Sequence, residues 1–239
     1  MAKSERWKQR PENSTWGDYG PDDQLGRMNE LNAERTKQAV AEVKAGRSFC
    51  LSMPLDLPGG NVLNPRRHPP LLRPTVRSDR PNWLYRTEYD QAGLTDVIND
   101  DMVLLHLQYS SQWDTLAHVG SLFDADGDGV AEPVFYNGFR GDTDMFGPTD
   151  PKEAGSIPGT FVEAKATSAA KKLGVENLAE KCLQGRGVMI DLQAHFGRRK
   201  HAVTYDDLMR VMAADGIKVE PGDFVCLRTG FDEVIFEQK

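Results

Sequence analysis

The chain has 239 residues, with 29 Lys and Arg against 36 Asp and Glu, giving a net charge of −7. That balance excludes a general nucleic-acid binder, which needs a basic footprint. A composition of 39% hydrophobic and 27% charged residues excludes a disordered chain. No apolar run approaches the ~20 residues of a bilayer span, and the polar start MAKSERWKQRPENS carries no secretory apolar core. Neither membrane contact nor export is expected. The three cysteines, Cys50, Cys182 and Cys226, are odd in number and none forms a CxxC pair. They predict no disulfide framework, no zinc finger and a reducing, cytoplasmic setting.

In chain order, residues 1–31 form a polar, turn-rich arm with Trp7 and Trp16 as anchors. Asn32 caps a helix expected over 33–45 and stopped by Gly46, with Ala39, Val40 and Val43 on its inward face. Phe49–Leu57 reads as a strand. A Pro/Arg-rich excursion follows over about 54–100. Seven of the 14 prolines lie between Pro54 and Pro81, together with Arg66, Arg67, His68, Arg73, Arg77 and Arg80. That proline density excludes a helix or a central strand. A loop of this length is a surface wrap with solvated arginines, or a functional or inter-subunit arm.

Met102–Tyr109 reads as a strand with Leu104, His106 and Gln108 on one face. Gly187–Leu192 is a continuous apolar strand. Thr204 and Asp207 have capping-box spacing before a helix that runs to about Ala214 and ends at Gly216. Lys218–Asp223 is a turn, and Phe224–Arg228 is another strand on which Cys226 is a core thiol rather than a nucleophile. Alternating strands and helices give an α/β class with a mixed sheet. An apolar-periodic segment starts at Phe231 and stops at Lys239, so the C-terminal part of the fold is expected to be missing.

Chemistry concentrates in His106–His118, where Gln108, Gln112, Asp114 and His118 arrive at spacings of four, two and four. A carboxylate beside an imidazole is the minimum for orienting a general base or starting a metal site. The plainer reading is a helix cap and its partner. Asp124-Ala-Asp126-Gly-Asp128-Gly129 matches the opening of an EF-hand calcium loop, but position 12 is Phe135 in place of the bidentate Glu. An acidic Asx-turn is the preferred reading, with a weak calcium site as the alternative. His68, His195 and His201 sit among Arg and Lys and are read as surface histidines.

The segment resembles the H-x-G-T-H-x-D-x-P-x-H motif of the cyclase family, which includes bacterial kynurenine formamidase and the manganese-dependent isatin hydrolases. Gly185–Leu192 resembles that family's RGVLLD strand. Thr204–Gly230 resembles its helix, IxPGD turn and VLLRTG strand, and Trp16–Gly26 also resembles the group. The resemblance implies a swivelling β/β/α fold, treated as a single domain over 1–239. It implies hydrolysis of a carbon–nitrogen bond in an amide, formamide or cyclic amide, and a homodimer or higher homo-oligomer. It implies a divalent metal, Mn or Zn, with Asp114 as a ligand and His118 as acid or base. The family's two metal histidines fall on Gln108 and Gln112, so these two amides stand in the ligand positions. Two amides and one carboxylate would hold zinc poorly. The family's remaining ligands, a His and a Glu, follow the RTG strand in a segment expected to be missing here.

Two alternatives therefore remain open at this point. The metal is kept, with water activated on it, or it is lost and Asp114 and His118 act alone. The substrate is a small molecule, an aromatic amide, with Trp16, Tyr109 and Trp113 as apolar walls or simply core. A second class of reading is a non-catalytic relative that binds a small aromatic ligand after losing its metal site.

Overall fold

The computed structural model describes residues 6–150, 153 and 166–238, so the first five residues of the expected arm lie outside it. The chain divides into two compact units. One is Met1–Arg47 with Trp113–Gly230, and the other is Ser48–Gln112 with Phe231–Lys239. The dividing point falls between Gln112 and Trp113, inside the chemistry-bearing segment.

The first unit is built on a parallel pair of strands, Gly187–Asp191 and Phe224–Arg228, in register from Gly187 against Phe224 to Asp191 against Arg228. Parallel neighbours need a long crossover. Here it contains the helices Leu192–Phe196 and Tyr205–Ala214. The longer helix starts where the sequence places it. The Thr204 side chain accepts from the Asp207 amide at 3.2 Å, and the Asp207 carboxylate accepts from the Thr204 amide at 3.0 Å. Ile190, Leu192 and Val211 form the buried cluster between strand and helix, with Phe196, Leu208 and Met212 packed against it.

Charged residues at the strand ends lock the register. At the entry, the Arg186 fork meets the Asp223 carboxylate at 2.9 and 2.7 Å. At the exit, Arg228 donates to both Asp191 oxygens at 3.0 Å. Bidentate pairs of this kind add direction as well as energy. A second core in this unit gathers Trp16, Ala125 and Val134, with Trp7, Phe123 and Tyr136 against them. The two tryptophan rings meet edge to face at 5.7 Å.

The second unit is made of short antiparallel ladders. Leu71–Pro74 pairs with Asp101–Leu104, Val76–Arg77 with Arg80–Pro81, and Tyr85–Arg86 with Val97–Ile98. Phe231–Glu237 is a helix. The proline-rich stretch therefore carries edge-type ladders rather than a bare wrap.

Four expectations need correction. The first helix ends at Ala41 rather than 45, and none of its residues is buried; Val40 and Val43 are exposed. A short helix without a packed face has nothing to extend it. Phe49–Leu57 forms no strand, and Phe49 and Leu51 are exposed. The strand expected over Met102–Tyr109 stops at Leu104, so His106 and Gln108 do not share a strand face. Among the described residues there are six two-stranded ladders, five antiparallel and one parallel, rather than one continuous mixed sheet. Prolines within the ladders, at 74, 81 and 133, remove amide donors that a further strand would need.

The Arg186 hydrogen bonds hold the Asp223 carboxyl below the ordinary carboxylate range. A depressed carboxyl stabilises the fold above its unfolded pKa, and that contribution is lost as pH falls through its folded value. Asp223→Asn is therefore expected to melt below wild type at pH 7, with the gap closing as the pH drops beneath the usual carboxylate range. Thermal melts across that interval measure it.

Candidate functional site

Asp114 and His118 belong to the first unit and lie on a turn rather than a helix. The His118 amide donates to the Thr115 carbonyl at 3.2 Å, and the Ala117 amide donates to the Thr115 hydroxyl at 3.2 Å. This turn brings the two side chains together. His118 Nδ1 is hydrogen-bonded to Asp114 Oδ1, which also accepts from the Thr115 amide at 3.0 Å. A carboxylate only accepts, so in the neutral imidazole this bond assigns the proton to Nδ1 and the lone pair to Nε2. The side chains are 40% and 53% exposed, so water reaches both.

The turn rests on a buried scaffold. Leu116, in the middle of the turn, lies with the Tyr136 ring beside Gly26, whose backbone has a φ of +59°. Tyr136 donates to Asp23 at 2.8 Å, and burial followed by that carboxylate raises its pKa. The next residue, Asn137, is fully buried at a φ of 58°. Its side-chain oxygen accepts from the Gly17 amide at 2.8 Å, and its NH₂ reaches the carbonyls of Gly20, Pro21 and Asp23 at 3.0–3.1 Å. The sequence reads Tyr136-Asn137-Gly138 as a turn; the structure adds that its amide fastens the N-terminal arm.

Gln108 and Gln112 belong to the second unit. Gln112 is exposed. Gln108 lines a cavity of about 380 Å³ with Met53, Arg67, Tyr109, Ser111 and Phe231 among its walls. The segment 53–67 is fastened over 108–111 by a series of hydrogen bonds. The Met53 amide donates to the Ser111 hydroxyl at 2.9 Å, and the Ser110 hydroxyl donates to the Pro54 carbonyl at 2.8 Å. The Tyr109 hydroxyl donates to the Gly60 carbonyl at 2.8 Å, and Arg67 donates to the Gln108 carbonyl at 2.5 Å. His106 turns to the His68 backbone at 3.2 Å. Of the expected aromatic walls, Tyr109 lines this cavity, Trp16 is core, and Trp113 lines a separate cleft of the first unit with Val175 and Leu178.

The residues present do not fit a bound transition metal. The carboxylate expected to ligate is occupied by an imidazole, and the other two expected donors are neutral amides. Among the described residues, the three acidic, His or Cys groups close enough to share an ion are Asp124, Asp126 and Asp128. There the Asp124 carboxylate accepts from the amides of Gly127, Asp128 and Gly129 at 2.7–3.1 Å, which is an Asx-turn arrangement. His195 bonds Asp215 at 3.0 Å, and His201 stacks on Phe196 at 4.3 Å, so both have structural partners. Cys226 is half-buried.

The first unit thus combines a parallel strand–helix–strand kernel of α/β type with a turn-borne carboxylate–imidazole pair. The family model described as "Putative cyclase" matches residues 50–239, and the chain belongs to the cyclase family. A crystal structure of a "novel cyclase" is similar to it at 27% identity with a TM-score of 0.63. That similarity covers 94% of this chain and 63% of the other, so this chain spans under two thirds of that protein's length. Comparison with curated proteins gives no match.

Asn137→Ala would remove the side-chain partner of one amide and three part-buried carbonyls, of which that of Pro21 keeps Arg6 as a donor. It is expected to cost about 2–4 kcal/mol of stability, read by urea unfolding. Asn137→Asp, which cannot donate to carbonyls, should lose nearly as much.

Proposed function

We propose that this chain hydrolyses a carbon–nitrogen bond in an amide, formamide or cyclic amide, with His118 as general base and acid and Asp114 as its orienting partner. The observation that carries the reading is the hydrogen bond from His118 Nδ1 to Asp114, which leaves Nε2 basic and open to water. Nε2 takes a proton from water as the oxygen attacks the carbonyl carbon. The tetrahedral adduct then collapses, the carbon–nitrogen bond breaks, and the imidazolium returns the proton to the departing nitrogen. Asp114 stabilises the imidazolium between these steps. Membership of the cyclase family supports an enzyme, and the TM-score of 0.63 supports extending the α/β assignment to the swivelling β/β/α arrangement. No step passes through a metal, because the donor set does not fit one.

The second reading, ligand binding without turnover, is favoured by the glutamines at 108 and 112. Rates with formanilide and with a five-membered aromatic lactam separate the two. His118→Ala is expected to lower kcat/KM by about 10²–10⁴-fold and Asp114→Asn by a comparable factor, with both variants melting close to wild type. Wild-type turnover no faster than that of His118→Ala would leave only the binding reading. Treatment with a strong chelator is expected to leave the wild-type rate unchanged, and elemental analysis should find metal well below one equivalent. A rate abolished by chelation and restored by Mn²⁺ would return the reaction to a metal.

A further inference from the structure

The cavity beside Gln108 has an electrostatic character that the hydrolytic reading does not use. Among the described residues, Arg67 is the one charged side chain that lines it, and none of the lining residues is acidic. A guanidinium has five N–H donors in a planar fork. One of those of Arg67 is spent on the Gln108 carbonyl at 2.5 Å, which fixes the head group at the wall. Arg67 makes no ion pair among the described residues, although the chain carries seven more acids than bases. In the same unit, Arg77 and Arg86 reach Asp90 and Glu88 at 2.7 Å. A half-buried, anchored arginine without a carboxylate partner is arranged to receive one from a ligand. Asn61, Asn64, Ser110 and Ser111 add uncharged polar groups to the lining, while Met53, Leu63 and the Phe231 ring supply an apolar face. A volume of about 380 Å³ holds one or two rings rather than an inorganic anion alone.

We propose that this cavity binds a small aromatic carboxylic acid, its ring against Met53, Leu63 and Phe231 and its carboxylate on the free donors of Arg67. The inference rests on the cavity alone and is read by binding, so it stands or falls separately from hydrolysis. Opening of an aromatic lactam would produce an acid of this class, whereas a formamide would release formate and an aromatic amine.

Isothermal titration of the whole chain with benzoate, its neutral isostere benzamide, and inorganic phosphate tests it. Benzoate is expected to bind about tenfold tighter than either of the others. Arg67→Gln should weaken benzoate about tenfold and leave benzamide unchanged. Asn64→Asp, an isosteric change that adds an opposing charge at the rim, should weaken benzoate alone. This variant keeps the test decisive should Arg67→Gln fail to fold. His118→Ala should bind benzoate as wild type does, whatever happens to turnover. Equal affinity for benzoate and benzamide would overturn the proposal. So would phosphate binding as tightly as benzoate, or benzoate binding indifferent to both cavity variants.

Discussion

One buried amide constrains much of the first unit. Asn137 offers an acceptor and two donors from a single uncharged group, and all are used on backbone between Gly17 and Asp23. A charged residue could not satisfy both polarities, and an apolar one would leave the Gly17 amide and these part-buried carbonyls without their side-chain partner. Its left-handed backbone, which asparagine tolerates better than most residues, turns the chain so that Tyr136 faces Asp23 and Gly26. Leu116 packs at the same glycine, and Asp114 and His118 flank Leu116. The N-terminal arm is thus part of what supports the proton-transfer pair, although it contributes no reacting atom.

The pair itself adds little to stability. A carboxylate and an imidazole that are about half exposed contribute roughly 0–1 kcal/mol, and the turn is already held by the Thr115 bonds and by Leu116. The arrangement therefore matters for the orientation of a proton acceptor. Amides in place of metal-type histidines weaken the donor set for a Lewis acid. In the proposed reading the oriented imidazole is then the general base.

How far the sequence was legible depends on the range of the interaction concerned. Thr204 and Asp207 are three residues apart, and Asn32 caps its helix through Arg35; both are local geometries that spacing specifies. The parallel strands were legible because both are short apolar runs between turn signals, and the ends of both carry charges that the structure shows pairing. The strands expected over Phe49–Leu57 and Met102–Tyr109 failed for another reason. Alternation shows that a segment can be a strand, but a strand exists only where a partner supplies a ladder. Leu71–Pro74 is four residues long, and past Leu104 the segment pairs with no strand among the described residues. Phe49–Leu57 ends among prolines and likewise pairs with none of them. For Arg67 and the five other basic residues of its stretch, the sequence leaves open a solvated wrap or a functional or inter-subunit arm. Nothing local distinguishes Arg67, because its role depends on Gln108, forty-one residues away.

That last contact also bears on what position 108 can vary. Arg67 binds the backbone carbonyl of Gln108 rather than its side chain. The wall of the cavity is therefore indifferent to whether a histidine or a glutamine stands there, since every residue supplies the same carbonyl. Ser110 and Ser111 behave differently: their hydroxyls tie the segment to Met53 and Pro54, a bond that a glycine at 110 could not make. The side chain at 108 can therefore change without altering the Arg67 contact, whereas Gly-Thr at 110–111 would cost the Ser110 bond to Pro54. Metal ligation of the family type and the proposed anion binding would draw on different atoms at 108, the side chain for one and the backbone carbonyl for the other, so a change that weakens the first need not weaken the second.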